Sequence, residues 1–128
     1  MLRKGKWTNE EDQYAIREIR DFKAGLLNIP DGISLRLYLA MQLNCNSMRI
    51  TKKYSKTENI GKINYIHAEP DIFPPELCNI ATNERMILRY KFIISTIPGT
   101  YNDFHLFSNF IVGTWSNHYQ LHESNIRS

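Results

Sequence analysis

The sequence predicts an all-α fold: three short helices in the first half, then a further helical region. Three observations predict it. Apolar residues recur at steps of three and four, which is one face of a helix. Capping residues stand where each helix would begin. Proline, glycine and short polar turns punctuate the stretches between. At 128 residues the chain is long enough for one domain or two very small ones. With 42% hydrophobic and 23% charged residues it has the make-up of a globular chain rather than a disordered one.

The first helix is expected in "KWTNEEDQYAIREIRDFKAG". Thr8 can cap it, and Glu11 can reach back in a capping box. Glu10, Glu11 and Asp12 place negative charge where the helix dipole favours it. Ala15, Ile19, Phe22 and Leu26 share a face, and Gly25 is a natural stop. Pro30 and Gly32 break the connection that follows. Ser34 can cap a second helix, with Leu35, Tyr38, Leu39 and Leu43 inward. After the turn "NCN", Asn46 can cap a third helix from Ser47 to about Tyr54. Met48 or Ile50 then faces inward, with Arg49, Lys52 and Lys53 outward.

Charge is unevenly spread. Residues 1–66 hold 12 Lys and Arg against 7 Asp and Glu, and residues 67–128 hold 4 against 6. Two helices joined by a tight turn, the second one basic, form a helix-turn-helix pattern. Such a helix fits the major groove of duplex DNA if its outer face neutralises phosphates and offers donors to bases. Arg49 has the fork geometry for guanine, while Lys52 and Lys53 suit phosphates. Ser47 begins the same helix. Arg3, Lys4 and Lys6 form a basic arm before the first helix, and Lys56 and Lys62 follow the third, near Gly61. Double-stranded DNA is therefore the expected ligand of residues 1–66.

"GKWTNEED" resembles the opening of Myb/SANT-type domains, and the three-helix layout is similar to homeodomain-like folds. The resemblance spans roughly residues 4–56. It implies a trihelical DNA-binding domain, or, as in many SANT domains, an adaptor that binds protein instead. The chain departs from both patterns. Trp7 is the only tryptophan in the region, and "MRITKKYS" holds no asparagine placed to read adenine. The same helical domain joined to a docking tail is also similar to the homeobox-like accessory subunits of ciliate DNA N6-adenine methyltransferase complexes. That resemblance implies a nuclear, non-catalytic subunit whose partner is a DNA methyltransferase.

Residues 67–128 read as a helical protein-interaction region. "EPDIFPPEL" is a proline-rich hinge. Thr82 can cap "NERMILRYKFIIST", and Pro98-Gly99 ends it. Thr100 and Asp103 can open another helix, and "WSNHYQLHES" can form a last one. Phe92, Ile93, Ile94 and Ile97 add to an apolar stretch that either covers the first domain or meets another subunit. Phe104, Phe107, Phe110 and Ile111 share helical spacing and, with Trp115, are the expected anchors for a larger protein complex.

Little in the sequence points to chemistry. His118 and His122 are four apart, but no third metal ligand stands nearby, so a surface pair is expected. No nucleophile–base pair, Walker-type loop or glycine-rich nucleotide loop occurs. The expectation is a protein that is not an enzyme and takes no metal or cofactor. Cys45 and Cys78 are too far apart in sequence to suggest a disulfide framework, which fits a reducing compartment. No apolar stretch follows "MLRKGKW" as a signal peptide would require. The apolar cluster around "FIIS" is far short of the roughly 20 residues that span a bilayer, so no membrane is expected.

Overall fold

A computed structural model describes residues 1–97. Within them the chain is all-helical, with α1 at Asn9–Ala24, α2 at Leu35–Leu43, α3 at Ser47–Tyr54 and α4 at Pro75–Ser95. The described residues contain no strand, only two isolated bridges, Arg3 with Cys45 and Ser34 with Asn64.

Local capping sets the first three helices. The Thr8 hydroxyl accepts from Glu11 N–H at 3.0 Å, Ser34 from Leu37 N–H at 3.2 Å, and Asn46 from Met48 N–H at 2.8 Å. Each such cap is worth about 1 kcal/mol. Gly25 ends α1 in the left-handed region at φ 76°. A side chain there would be strained, and its Cβ would also lie 2.5 Å from Ala68 N and 2.6 Å from Ile66 O. The glycine is thus needed twice, for the cap and for the strand of backbone passing over it. Asn44 ends α2 at φ 52°, a conformation asparagine tolerates better than most residues.

One core joins all four helices. Ala15, Ile19 and Phe22 of α1 meet Leu35, Leu39 and Leu43 of α2 and Ile50 of α3, all buried. Ile50 is the inward residue of α3, whereas Met48 is 55% exposed. After α3 the chain returns across the connection between α1 and α2. Tyr65 N–H donates to Ile33 O at 2.8 Å, and Gly32 N–H donates to Tyr65 O at 2.9 Å. The buried Tyr65 hydroxyl accepts from Leu27 N–H at 2.8 Å and donates to Leu27 O at 2.6 Å. Those bonds tie a loop that has no helix of its own to the core.

The fourth helix differs from its expected form. It begins at Pro75 rather than after Thr82 and runs for 21 residues. A proline at the first helical position loses nothing, because that N–H has no partner within the helix. Thr82 lies inside α4 and donates back to Cys78 O at 2.9 Å. Phe92 enters the common core and stacks on Tyr14, with ring centroids 5.9 Å apart, so packing continues across residue 66. Ile94 is buried too, while Ile93 and Ile97 stay exposed.

The α1–α4 contact is also charged. Arg85 lies 3.0 Å from Glu18 and donates to Asp21 at 2.7 Å, with both carboxylates almost fully buried. The Glu18 contact is an ion pair without hydrogen-bond alignment, because Oε1 has no hydrogen-bond partner. Its Oε2 accepts from Tyr14 at 2.9 Å and from Tyr38 at 2.8 Å. Burial pushes the Glu18 carboxyl above its ordinary value, against the pull of the Tyr38 hydrogen bond and the Arg85 charge. Arg17 adds a bridge from Asp21 to Glu84.

Candidate nucleic-acid interface

α3 carries the densest positive charge, and helical geometry divides it into edges. At about 100° per residue, Ile50 and Tyr54 define the buried direction. Met48 and Lys52 then point opposite, Arg49 and Lys53 to one side, and Ser47 and Thr51 to the other. Lys52, Lys53 and Lys56 are exposed and pair with no carboxylate among the described residues. Lys4, Lys6 and Lys62 are also exposed and equally unpaired there.

Arg49 departs from the expected outward position. Its guanidinium donates to both oxygens of Glu11, at 2.7 and 2.9 Å, and to the carbonyls of Gly5 and Lys6. It also lies over the Trp7 ring, 4.1 Å from the centroid. The side chain keeps only 11% of its exposure, and that of Glu11 keeps none. The hydrogen bonds to Glu11 hold the guanidinium above its ordinary pKa. A carboxylate this deeply buried needs a cation, and Arg49 is drawn in to supply it. Its fork is thereby occupied within the protein.

Arg3 departs in the same way. Its Nε stands 3.0 Å from Glu11 Oε1, an ion pair whose alignment falls short of a hydrogen bond. Its backbone N–H donates to Asn44 O at 2.7 Å, pinning the arm across the turn between α2 and α3. Only Lys4 and Lys6 of the arm remain free to meet a ligand. Glu11 also departs from its expected capping role, since its carboxylate faces these arginines and only its backbone N–H meets Thr8.

Trp7 holds this edge together. It packs edge-on against Tyr54 at 5.2 Å and 83°, and Lys53 Nζ lies 5.8 Å from its centroid. Tyr54 in turn donates to Asp12 at 2.5 Å. Burial, followed by that hydrogen bond, raises the Tyr54 pKa, so the hydroxyl keeps its proton.

On the opposite edge, a cleft of about 530 Å³ is lined by Ser34, Arg36, Leu37, Ser47, Lys62 and Asn64, with Ile60 and Ile63 behind them. Ser47 and Lys62 are among the residues the sequence assigns to an interface; Arg36 is not. One signal for Arg36 was available: it lies in the first turn of a helix that offers no acidic partner there.

Phe104, Phe107, Phe110, Ile111 and Trp115, with His118 and His122, lie outside the described residues. Among the described residues no group of three or more His, Cys, Asp or Glu could hold a metal ion, and no helix is long and apolar enough to cross a membrane. Compared with protein-family models, with curated proteins and with solved structures, the chain finds no match.

Proposed function

We propose that this chain is a non-catalytic DNA-binding accessory subunit. In this reading α2, the turn Asn44–Asn46 and α3 act as a helix-turn-helix that meets duplex DNA. The observation that carries it is the lysine face. Lys52, Lys53 and Lys56 stand exposed and unpaired, flanked by Lys4, Lys6 and Lys62, while Glu11, Glu18 and Asp21 are buried out of their way. Such a face suits phosphates, and a histone-tail binder would want the opposite sign. Residues 98–128 would dock the protein onto a larger nuclear assembly. The resemblance noted from sequence makes a DNA adenine methyltransferase the partner to try first.

The test is a salt titration of binding to a random-sequence duplex, read by fluorescence anisotropy. Changing Lys52, Lys53 and Lys56 together to Ala should weaken binding and flatten the slope of log K against log salt by about 0.9 for each phosphate no longer neutralised. Superimposable titrations of mutant and wild type would sink the reading. For the docking half, Phe107→Ser with Phe110→Ser should abolish co-purification of a partner and leave DNA affinity unchanged. If the partner is retained, those aromatics are not its anchors.

A second reading has an observation of its own. Leu37, Met41 and Met48 are each more than half exposed on α2 and α3, and the one guanidinium of α3 is engaged internally. Both features suit a SANT-like adaptor that binds protein. Wild-type protein that fails to bind duplex even at low salt would favour the adaptor.

A further inference from the structure

We infer that Arg36, Ser47 and Lys62 form a cleft that grips one phosphodiester of the DNA backbone, on the edge of α3 away from the N-terminal arm. This rests on the DNA-binding reading above and extends it to a site beside the lysine face, which shares Lys62 with that face's flank.

Every charged group lining the cleft is positive, and no carboxylate is among them. Arg36 is unusually free for a half-buried arginine. It has no ion-pair partner among the described residues, and its Nη2 donates a long hydrogen bond to the Ser47 hydroxyl at 3.5 Å. Its Nε is shielded from solvent and has no hydrogen-bond partner. An unpaired guanidinium nitrogen away from water is costly, and the charge of the same group is free to be met by an anion at its Nη atoms. Lys62 supplies a second charge and Asn64 a neutral polar group. The apolar walls of Leu37, Ile60 and Ile63 reduce local screening and strengthen any ion pair made there.

A helix lying in a major groove about 12 Å wide has a phosphate backbone on each side. Met48 and Lys52 form the leading face of α3. On one edge stand Lys53 and the arm carrying Lys4 and Lys6, held there by Arg49 and Trp7. On the other stands the Arg36–Ser47–Lys62 cleft. The two positive edges match the two strands. The cleft also opens on the cap of α2 and the first residue of α3, whose helix dipoles add positive potential.

The experiment compares full-length wild type with Arg36→Gln, Arg36→Lys and Lys62→Gln on one random-sequence duplex across a salt series. A parallel arm adds inorganic phosphate alone at constant ionic strength and follows the Ser47 and Arg36 amide resonances. The expected result is a salt slope lower by about 0.9 for Arg36→Gln and for Lys62→Gln. Arg36→Lys should keep the slope and weaken affinity alone, because the charge stays and the fork goes. Thermal melts separate folding from binding, and Lys62, being exposed, keeps the test decisive if Arg36→Gln unfolds. Wild-type slopes in both Gln variants would overturn the inference while leaving DNA binding intact. Saturation by free phosphate with those slopes unchanged would also overturn it, since the cleft would then serve a small anion. Failure of wild type to bind duplex at all would remove the DNA-binding reading and this site together.

Discussion

Arg49 and Lys52 are three residues apart on α3, yet they meet opposite fates. Arg49 is folded into the protein, against Glu11 and Trp7. Lys52 stands in solvent with no partner among the described residues. The difference lies partly in shape. A planar, weakly hydrated guanidinium can hold a buried carboxylate by two parallel bonds and stack on an indole at once. An ammonium is a strongly hydrated point charge that gains little from either. Shape is not the whole of it: on α4 Arg85 is buried on Glu18 and Asp21 while Arg89, one turn on, is exposed, so a buried carboxylate within reach is needed too. Positive charge on a helix is therefore no measure of what the helix offers a ligand. Arg49 and Arg85 hold helices together, and what remains for a partner is the exposed lysines and the Arg36 fork.

The largest test of that contrast removes a structural arginine. Arg85→Met leaves Glu18 and Asp21 buried without their shared cation, and should cost about 3–5 kcal/mol of stability in urea denaturation. Arg49→Ala should cost about 3 kcal/mol by the same logic, softened by Arg3, which still faces Glu11. A loss under about 1 kcal/mol in either would mean these arginines are surface charges after all.

Acidity sharpens the α1–α4 side of the comparison. The folded Glu18 carboxyl sits above its ordinary 4.5 because burial disfavours its charge. Between the two values the folded state holds a proton that the unfolded chain releases, so rising pH favours unfolding. The contribution is fully present below 4.5 and is lost as pH rises through the folded value. Stability of wild type relative to Glu18→Gln should therefore fall as pH rises from 4.5 through the folded value. A difference that stays flat or grows over that range would show that Arg85 outweighs burial.

Smaller effects concern the lysine face. With the Arg49 fork occupied, α3 offers bases no bidentate donor. Selection from a random duplex pool should return no site more than about tenfold better than the average, or ~1.4 kcal/mol. A motif whose mismatches cost about 1–3 kcal/mol each would show that Arg49 leaves Glu11 to read DNA. Smallest of all, the triple change of Lys52, Lys53 and Lys56 to Ala should alter stability by no more than about 0.5 kcal/mol. A larger loss would mean the lysines are structural too.

The first three helices and their caps are legible along the chain. Thr8, Ser34 and Asn46 bond to backbone two or three residues away, and Gly25 turns the chain where it stands, so these signals need no distant partner. The sequence also placed Leu35, Leu39 and Leu43 inward, because a 3.6-residue period is written in the chain. The start of α4 escaped it for a related reason: two prolines look like a hinge until one of them is seen to begin a helix. Which charges are available follows from packing alone. Glu11 and Arg49 are 38 residues apart, and Asp21 and Arg85 are 64 apart. Each pair meets only after the helices have packed, and burying the carboxylate is what draws the arginine in. Arg36 came to a cleft in the same way, once residues 60–64 had returned beside α2. Local hydrogen bonds can be read along a chain, but the burial that sets the worth of a charge belongs to the folded whole.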